Sequence, residues 1–328
     1  MRSLLRQIKP ILGSAAIALF FVVLGCTGTT AFDGTTYQAQ VQSYSGYVVV
    51  ATNALPTATG PGMVTLFDQN GNFVRVVKDY YADTLTPTGL AALNEYQVLV
   101  LVSGASRVDR LDLRTGESTV YMSNAGITTP FGNMAKSSLD DSIFIPERSL
   151  NTIEKVDANG TRVSNPLVTT TSGTCTLSTP WGITYIPGLD RIAVINNVAA
   201  GRLNVYSADG TCVTSVNAAP FSSNTPAAIA YHSLADKLIT VFAGNHAVVA
   251  TNTSGTSAST IYLNSTVVSV PRAITIDTSG YIYIGSDGVD TIEKFSFPGT
   301  GSASRVGTTP FIPAGVYSQN PAALLVMP

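Results

Sequence analysis

The chain is poor in the residue types that most often carry chemistry. Its 328 residues include two histidines, three cysteines and one tryptophan, and only 12% are charged. No Cys/His spacing of the metal-ligand kind occurs, which leaves out an ordinary zinc centre. There is no G-x-S-x-G, no H-E-x-x-H and no glycine-rich phosphate loop between a strand and a helix, so the common hydrolase, metalloprotease and nucleotide-binding signatures are missing. Net charge is −2 with no visible basic patch, so nucleic acid is not an expected partner. Glu and Lys are scarce, and sustained 3.6-residue periodicity is hard to find after residue 25, which excludes a helical bundle. His232, in Tyr-His-Ser-Leu-Ala-Asp, and His246, in Gly-Asn-His-Ala, read as solvent-exposed residues of turns on opposite faces.

What is abundant is Thr, Ser, Ala, Gly and Val, a composition that favours strands and turns. The apolar run Ile11–Leu24 is preceded by Arg2, Arg6 and Lys9 and is shorter than the roughly 20 residues of a membrane span. A positive start, a short apolar stretch and a small residue at the cut predict a secretory signal over residues 1–25, with an uncleaved N-terminal anchor as the alternative. Val23-Leu24-Gly25-Cys26 resembles the lipobox of bacterial lipoproteins. That resemblance implies a diacylglyceryl thioether and an N-acyl chain on Cys26, a lasting membrane anchor. Thr27, rather than Asp, after the cysteine resembles the outer-membrane sorting pattern of Gram-negative cells. Residues 26–44 then read as a polar tether and 45–328 as a single folded domain. Without the three basic residues of 1–25, the remainder sets 15 bases against 20 acids, a net of −5.

Two markers recur along that domain. A Pro two residues before Gly or Ala, with an aliphatic or Met close behind, stands at 87, 130, 180, 226, 271 and 321, spaced by 43, 50, 46, 45 and 50. A turn Gly follows each of the first five after 28 to 30 residues, at 116, 160, 210, 255 and 299, and another lies at 71. Pro fixes φ and starts an extended strand, and small residues beside it allow close packing. Asn70-Gly71, Asn159-Gly160 and Asp209-Gly210 supply hairpin turns. Within one unit the pattern predicts strands at 182–186, 191–195, 202–206 and 212–216. Runs such as Val98–Val102 and Ile192–Ile195 are apolar on both faces, as strands between two sheets should be.

A four-strand unit repeating at this period predicts an all-β, six-bladed β-propeller. Tyr47–Val77 supplies three strands without a Pro marker, and Pro321–Met327 supplies one strand with it. The last strand should therefore fill the innermost place of the first sheet and remove its free edge. Seven blades are the alternative, if the long units ending at 179 and 320 hide further strands.

Pro-x-Gly-Ile, then a strand, then x-Asp-x-x-Gly-x resembles the NHL-repeat and gluconolactonase-like six-bladed propellers. The resemblance covers roughly 45–328 and implies a site at the mouth of the central channel near the Pro markers. Thr88, Phe131, Trp181, Ala227, Arg272 and Ala322 would form one ring there, and Thr52, Ser103, Glu147, Asn196, Ala243 and Ser286 a second. Trp181 beside Phe131, with Arg272 across, could stack on a sugar or flat ligand, or Trp181 could be core. In gluconolactonase-like enzymes a divalent ion on the axis is held by Glu, Asn and Asp of different blades. Glu147, Asn196 and Asp287 are the matching candidates, but Ala243 stands where the next Asp belongs. The first reading therefore takes no cofactor and no catalytic residue, and the alternative takes one divalent cation such as calcium. Cys175 and Cys212, left in an oxidising compartment, either pair or stay as thiols; pairing requires the loop 169–179 to fold over the outer edge of its blade. The expected function is an envelope lipoprotein whose propeller binds a protein, peptide or glycan. The alternatives are a metal-dependent lactonase or esterase and a structural envelope protein.

Overall fold

The computed structural model describes residues 43–52, 62–80, 83–123, 127, 132–198, 201–315 and 317–328, without the side chains of 164 and 165. Cys26, the signal stretch and most of the tether lie outside the described residues. Tyr44–Pro328 forms one compact unit.

The repeating Pro marker places each innermost strand. In blade 4, Pro180–Ile186 is followed by Arg191–Asn196, Arg202–Ser207 and Cys212–Val216, paired antiparallel in that order. Six sheets of four strands repeat this arrangement, so the seven-blade alternative fails. The long unit before 179 holds instead a two-stranded hairpin, Thr171–Ser172 with Cys175–Thr176. The other long unit becomes the connection between Ser304–Arg305, the outer strand of blade 6, and Pro321.

Closure runs through blade 1. Pro321–Val326 pairs antiparallel with Val48–Thr52, with Leu324 opposite Val50 and Val326 opposite Val48. Met63–Phe67 and Phe73–Asp79 complete that sheet. The pairing covers the axial edge of Val48–Thr52, so blade 1 presents an inner strand to the axis as the other blades do.

Neighbouring sheets pack face to face. Val49, Val64 and Leu66 of blade 1 meet Val98, Val100 and Leu111 of blade 2, all fully buried. Each such side chain contributes on the order of 1.5–3 kcal/mol of burial. The outward turns are pinned by side chains. Asp157 Oδ1 accepts the N–H groups of Asn159 and Thr161 at 2.9 and 2.8 Å, and Asp68 Oδ1 does the same for Asn70 and Asn72. This is the local bonding that makes Asp-x-Asn-Gly a turn.

A second repeat escaped the sequence reading. Thr-Ile-Glu-Lys occurs at both 152–155 and 291–294. Its glutamates are buried and paired, Glu154 with Arg162 at 3.0 Å and Glu293 with Arg305 at 2.6 Å. Asp109 takes the same place in blade 2 with Arg107 at 2.8 Å. These carboxylates join the third strand to its surroundings; they are structural.

Candidate binding site in the central channel

The channel has two unlike mouths. At the Pro-marker end, Trp181, Ala227, Arg272 and Ala322 converge with Asn133 on a gap of about 10 Å³. At the other end the channel widens into a cup of about 770 Å³.

The cup's wall is made of strand edges. Consecutive residues line it, Ile183 to Tyr185 in blade 4, Ile229 to Tyr231 in blade 5 and Ile274 to Ile276 in blade 6. Alternate residues would line it if a sheet face were presented. In an antiparallel pair, successive residues direct their backbone groups to opposite edges. Met327 N–H bonds to Tyr47 within blade 1, so Leu324 and Val326 face the axis. Leu93 N–H bonds to Gln97 within blade 2, so Leu90 faces it as well. Some of these groups are met by the next blade: Tyr231 N–H donates to Thr184 Oγ1 at 3.1 Å and Val326 N–H to Thr275 Oγ1 at 3.4 Å.

Asn133 separates cup from gap. It is the third residue after its Pro marker, where the other five units carry Leu90, Ile183, Ile229, Ile274 and Leu324. The preceding Gly132 has φ +85°, and a Cβ there would lie 1.4 Å from the Trp181 carbonyl oxygen. Only glycine takes this turn at this approach. The regular inner strand of blade 3 is correspondingly short, Ala135–Lys136. The Asn133 amide nitrogen donates to the carbonyls of Ile274 and Leu324 at 3.3 and 3.2 Å, reaching blades 6 and 1. Two acceptors on one side fix the amide orientation. Asn133 Oδ1 is buried without a partner among the described residues.

Polar groups at the rim are engaged with each other. Lys136 Nζ donates to the Leu93 carbonyl at 2.8 Å and pairs with Asp141 at 3.0 Å. Tyr185 and Tyr231 donate to Asp190 and Asp236 at 2.7 and 2.9 Å. Burial, then the bond to Asp236, pushes the Tyr231 phenol up to about 12, and burial raises Tyr185 as well. Both stay protonated at neutral pH.

The residues singled out from sequence separate. Trp181 and Arg272 meet at the narrow end; Trp181 is 7% exposed, under the Arg148 guanidinium at 4.6 Å, and Arg272 pairs with Asp287. Phe131 lies outside the described residues. Glu147 and Asn196 are fully buried and line neither cup nor gap. Glu147 Oε1 accepts from Ser149 N–H and Oγ–H at 3.1 and 2.8 Å, and Asn196 Nδ2 donates to the Thr176 carbonyl at 2.8 Å. Asp287 pairs with Arg272, while Asn196 Oδ1 and Asp287 Oδ1 are buried without a hydrogen-bond partner among the described residues. No three His, Cys, Asp or Glu side chains cluster among the described residues.

Cys175 and Cys212 are joined, with Cα atoms 5.7 Å apart. The hairpin 171–176 brings Cys175 over the outer strand of blade 4, where Ser172 Oγ also donates to the Gly210 carbonyl. His232 is 2% exposed, against the expected exposed turn residue. Its Nδ1 accepts the Ala235 N–H at 3.1 Å and its ring meets Phe297 edge-on. His246 Nδ1 accepts the Val270 N–H at 2.9 Å. Neither histidine lines the cup.

Fold and channel together define a six-bladed β-propeller closed by its C-terminal strand, with a one-ended cup on the axis. No family model matches the sequence, and no curated protein matches it in sequence. Among solved structures it is similar to a chain of a nidogen/laminin complex, at 16% identity over 85% of this chain and 97% of that one, TM-score 0.66. It is also similar to a streptogramin B lyase, at 22% identity over 67% and 68% of the two chains, TM-score 0.53. A catalytically inactive histidine-to-alanine variant of virginiamycin B lyase from Staphylococcus aureus, with quinupristin, matches at 18% identity over 68% and 70%, TM-score 0.54. At such identities the likeness shows the fold alone.

Proposed function

We propose that this chain is a lipid-anchored binding module of the bacterial envelope that takes a protein, peptide or glycan partner at the wide mouth of its channel. The observation that carries the reading is the cup of about 770 Å³, open at one end and narrowed at the other. Concave sites of this size, lined by apolar groups with a few convergent polar ones, are where ligands bind. The structural neighbours include a propeller from a complex with laminin and one holding quinupristin, in keeping with a fold that serves both large and small partners.

The anchor rests on Val23-Leu24-Gly25-Cys26 and the positive, apolar stretch before it. It would place the domain outside the cytoplasm, at the outer membrane in a Gram-negative cell. A metal-dependent hydrolase is the second reading, less supported because Glu147, Asn196 and Asp287 line neither the cup nor the gap.

Two experiments test the reading. In cells fed an alkynyl fatty acid, the native chain should take up label and sediment with membranes, and Cys26→Ser should do neither. A photo-crosslinking residue at Leu93 should capture a partner in intact cells. Ser138→Trp, at an exposed position on the rim of the cup, should obstruct the mouth and abolish capture while leaving thermal unfolding within a few degrees. Capture unchanged by the obstructed mouth would leave a structural envelope protein as the better account.

A further inference from the structure

Among the described residues two aromatic rings are more than a third exposed, and they stack on each other: Phe73 and Tyr317, 43% and 40% exposed, with ring centroids 4.1 Å apart. Phe73 opens the outer strand of blade 1, and Tyr317 lies in the connection from blade 6 to Pro321. The rings are held by the backbone beneath them rather than by their own burial. Thr65, fully buried, donates its hydroxyl to the Tyr317 carbonyl at 3.1 Å, and Ser318 Oγ donates to the Pro313 carbonyl at 2.9 Å. Beside the rings, Ile312, Pro313 and Ala314 line a groove of about 320 Å³. Both stretches are uncharged: no Asp, Glu, Lys, Arg or His occurs over 306–320 or 69–74. The patch also adjoins the place where the compact unit begins. In the turn 68–72, Gln69 Nε2 donates to the Ser45 carbonyl at 2.8 Å, and a Cβ on Gly71 would lie 2.1 Å from the Phe311 carbonyl oxygen. One turn thus touches the start of the unit on one side and the aromatic patch on the other.

We propose that this patch is a bilayer contact, in which Phe73 and Tyr317 enter the headgroup region of the membrane that holds the chain through Cys26. The inference rests on the lipid anchor. Residues 27–43 link Cys26 to Tyr44 and, whatever their course, keep Tyr44 within about 65 Å of the lipid. The turn 68–72 sets the two rings beside that point of attachment. Aromatic rings settle at a headgroup layer, their apolar body in the acyl boundary and a polar tip outside it. An uncharged patch can leave water there without the penalty that buried charges carry. A second copy of the chain fits less well. A whole Phe or Tyr buries about 150–250 Å², so two rings less than half exposed fall well short of the roughly 800 Å² per partner of a stable interface. A bilayer needs no matching surface, and an anchor raises its effective concentration at the patch. Neither ring lines the cup, so docking and partner binding use different residues.

The test uses the full lipidated chain on phosphatidylcholine vesicles. Phe73→Trp and Tyr317→Trp each place a reporter in the patch, and Val163→Trp places one at an exposed position on the outer strand of blade 3. The native chain, whose one tryptophan is Trp181, supplies the baseline. Phosphatidylcholine brominated on its upper acyl carbons should quench each patch reporter at least about twofold, because a docked ring sits about 5–10 Å into the headgroup and acyl boundary. Val163→Trp should be unaffected. The quenching should persist between about 50 mM and about 500 mM salt, which screens charges but leaves apolar burial intact. Two patch reporters keep the comparison if one variant fails to fold. Equal quenching at Val163→Trp, none in the patch, or loss of quenching in high salt would overturn the contact. A blue shift of the patch reporters without vesicles, growing with protein concentration, would also overturn it and assign the patch to a second copy. Failure of the anchor is read separately, by fatty-acid labelling. A chain that takes up no label is carried on nickel-chelating lipid by an N-terminal hexahistidine, and the same comparison of reporters then decides.

Discussion

The two ends of the axial channel are built from the same six strands, yet one is sealed and the other is a cup. At the narrow end large groups converge: Trp181 and Arg272 fill the axis and Ala227 and Ala322 close the remainder. At the wide end the same strands continue as bare edges under Leu, Ile and Ala residues. At the narrow end the axis is occupied by individual side chains and, in blade 3, by the segment Gly132-Asn133 ahead of a short inner strand. The lesson is that the repeat builds the wheel and the exceptions to the repeat build the site.

The largest effect should follow removal of residues 321–328, the strand that serves both mouths. Ala323, Leu324 and Met327 are essentially buried, and their loss with the pairing to Val48–Thr52 removes stabilisation comparable to a domain's whole margin of about 5–15 kcal/mol. Calorimetry should find no cooperative unfolding near the native temperature; an unchanged transition would mean the ring does not close here. Reduction of Cys175–Cys212, or Cys175→Ser with Cys212→Ser, should cost about 3–4 kcal/mol by the loop-entropy model for a separation of 37. Urea unfolding with and without reductant measures it.

Gly132→Ala should come next, at about 2–4 kcal/mol, because the new Cβ meets the Trp181 carbonyl at 1.4 Å and φ is +85°. Gly188→Ala, with nothing within 4 Å, should be nearly neutral in the same urea assay. Equal effects would show that the turn at Gly132 does not shape the channel floor.

The smallest effect concerns His232, remote from both mouths. Burial lowers its pKa below the ordinary value, so the unfolded chain binds its proton more readily than the folded one. Its contribution is therefore present above the unfolded value of about 6.5 and is lost as pH falls through the lower folded value. His232→Asn should flatten the decline of stability between pH 7 and 5. A decline as steep as that of the native chain would remove this residue from the account.

Much of the wheel was legible in the sequence. The strands of blade 4 lie within a residue or two of 182–186, 191–195, 202–206 and 212–216, because Pro marks their start and Asp209-Gly210 their turn. The homecoming of Pro321–Val326 followed from counting markers. The site was much less legible. Ring positions can be counted from the Pro markers, but bore depends on how far each side chain reaches toward the axis. His232 looked exposed because its turn is polar; its burial arises from packing on Phe297 of the next blade, which no local pattern encodes. The signal for the cup floor was present in plain view: Asn133 is polar where five other units are aliphatic.

Two single cysteines in a Cys26→Ser background test the difference between the mouths most directly. Ala230 lines the cup, whereas Ala227, three residues earlier on the same strand, is 3% exposed at the narrow end. With maleimide in excess, Ala230→Cys should react at least about a hundredfold faster than Ala227→Cys, as opening free energies for buried sites require. Equal rates, or faster labelling at Ala227, would contradict a channel open at one end only.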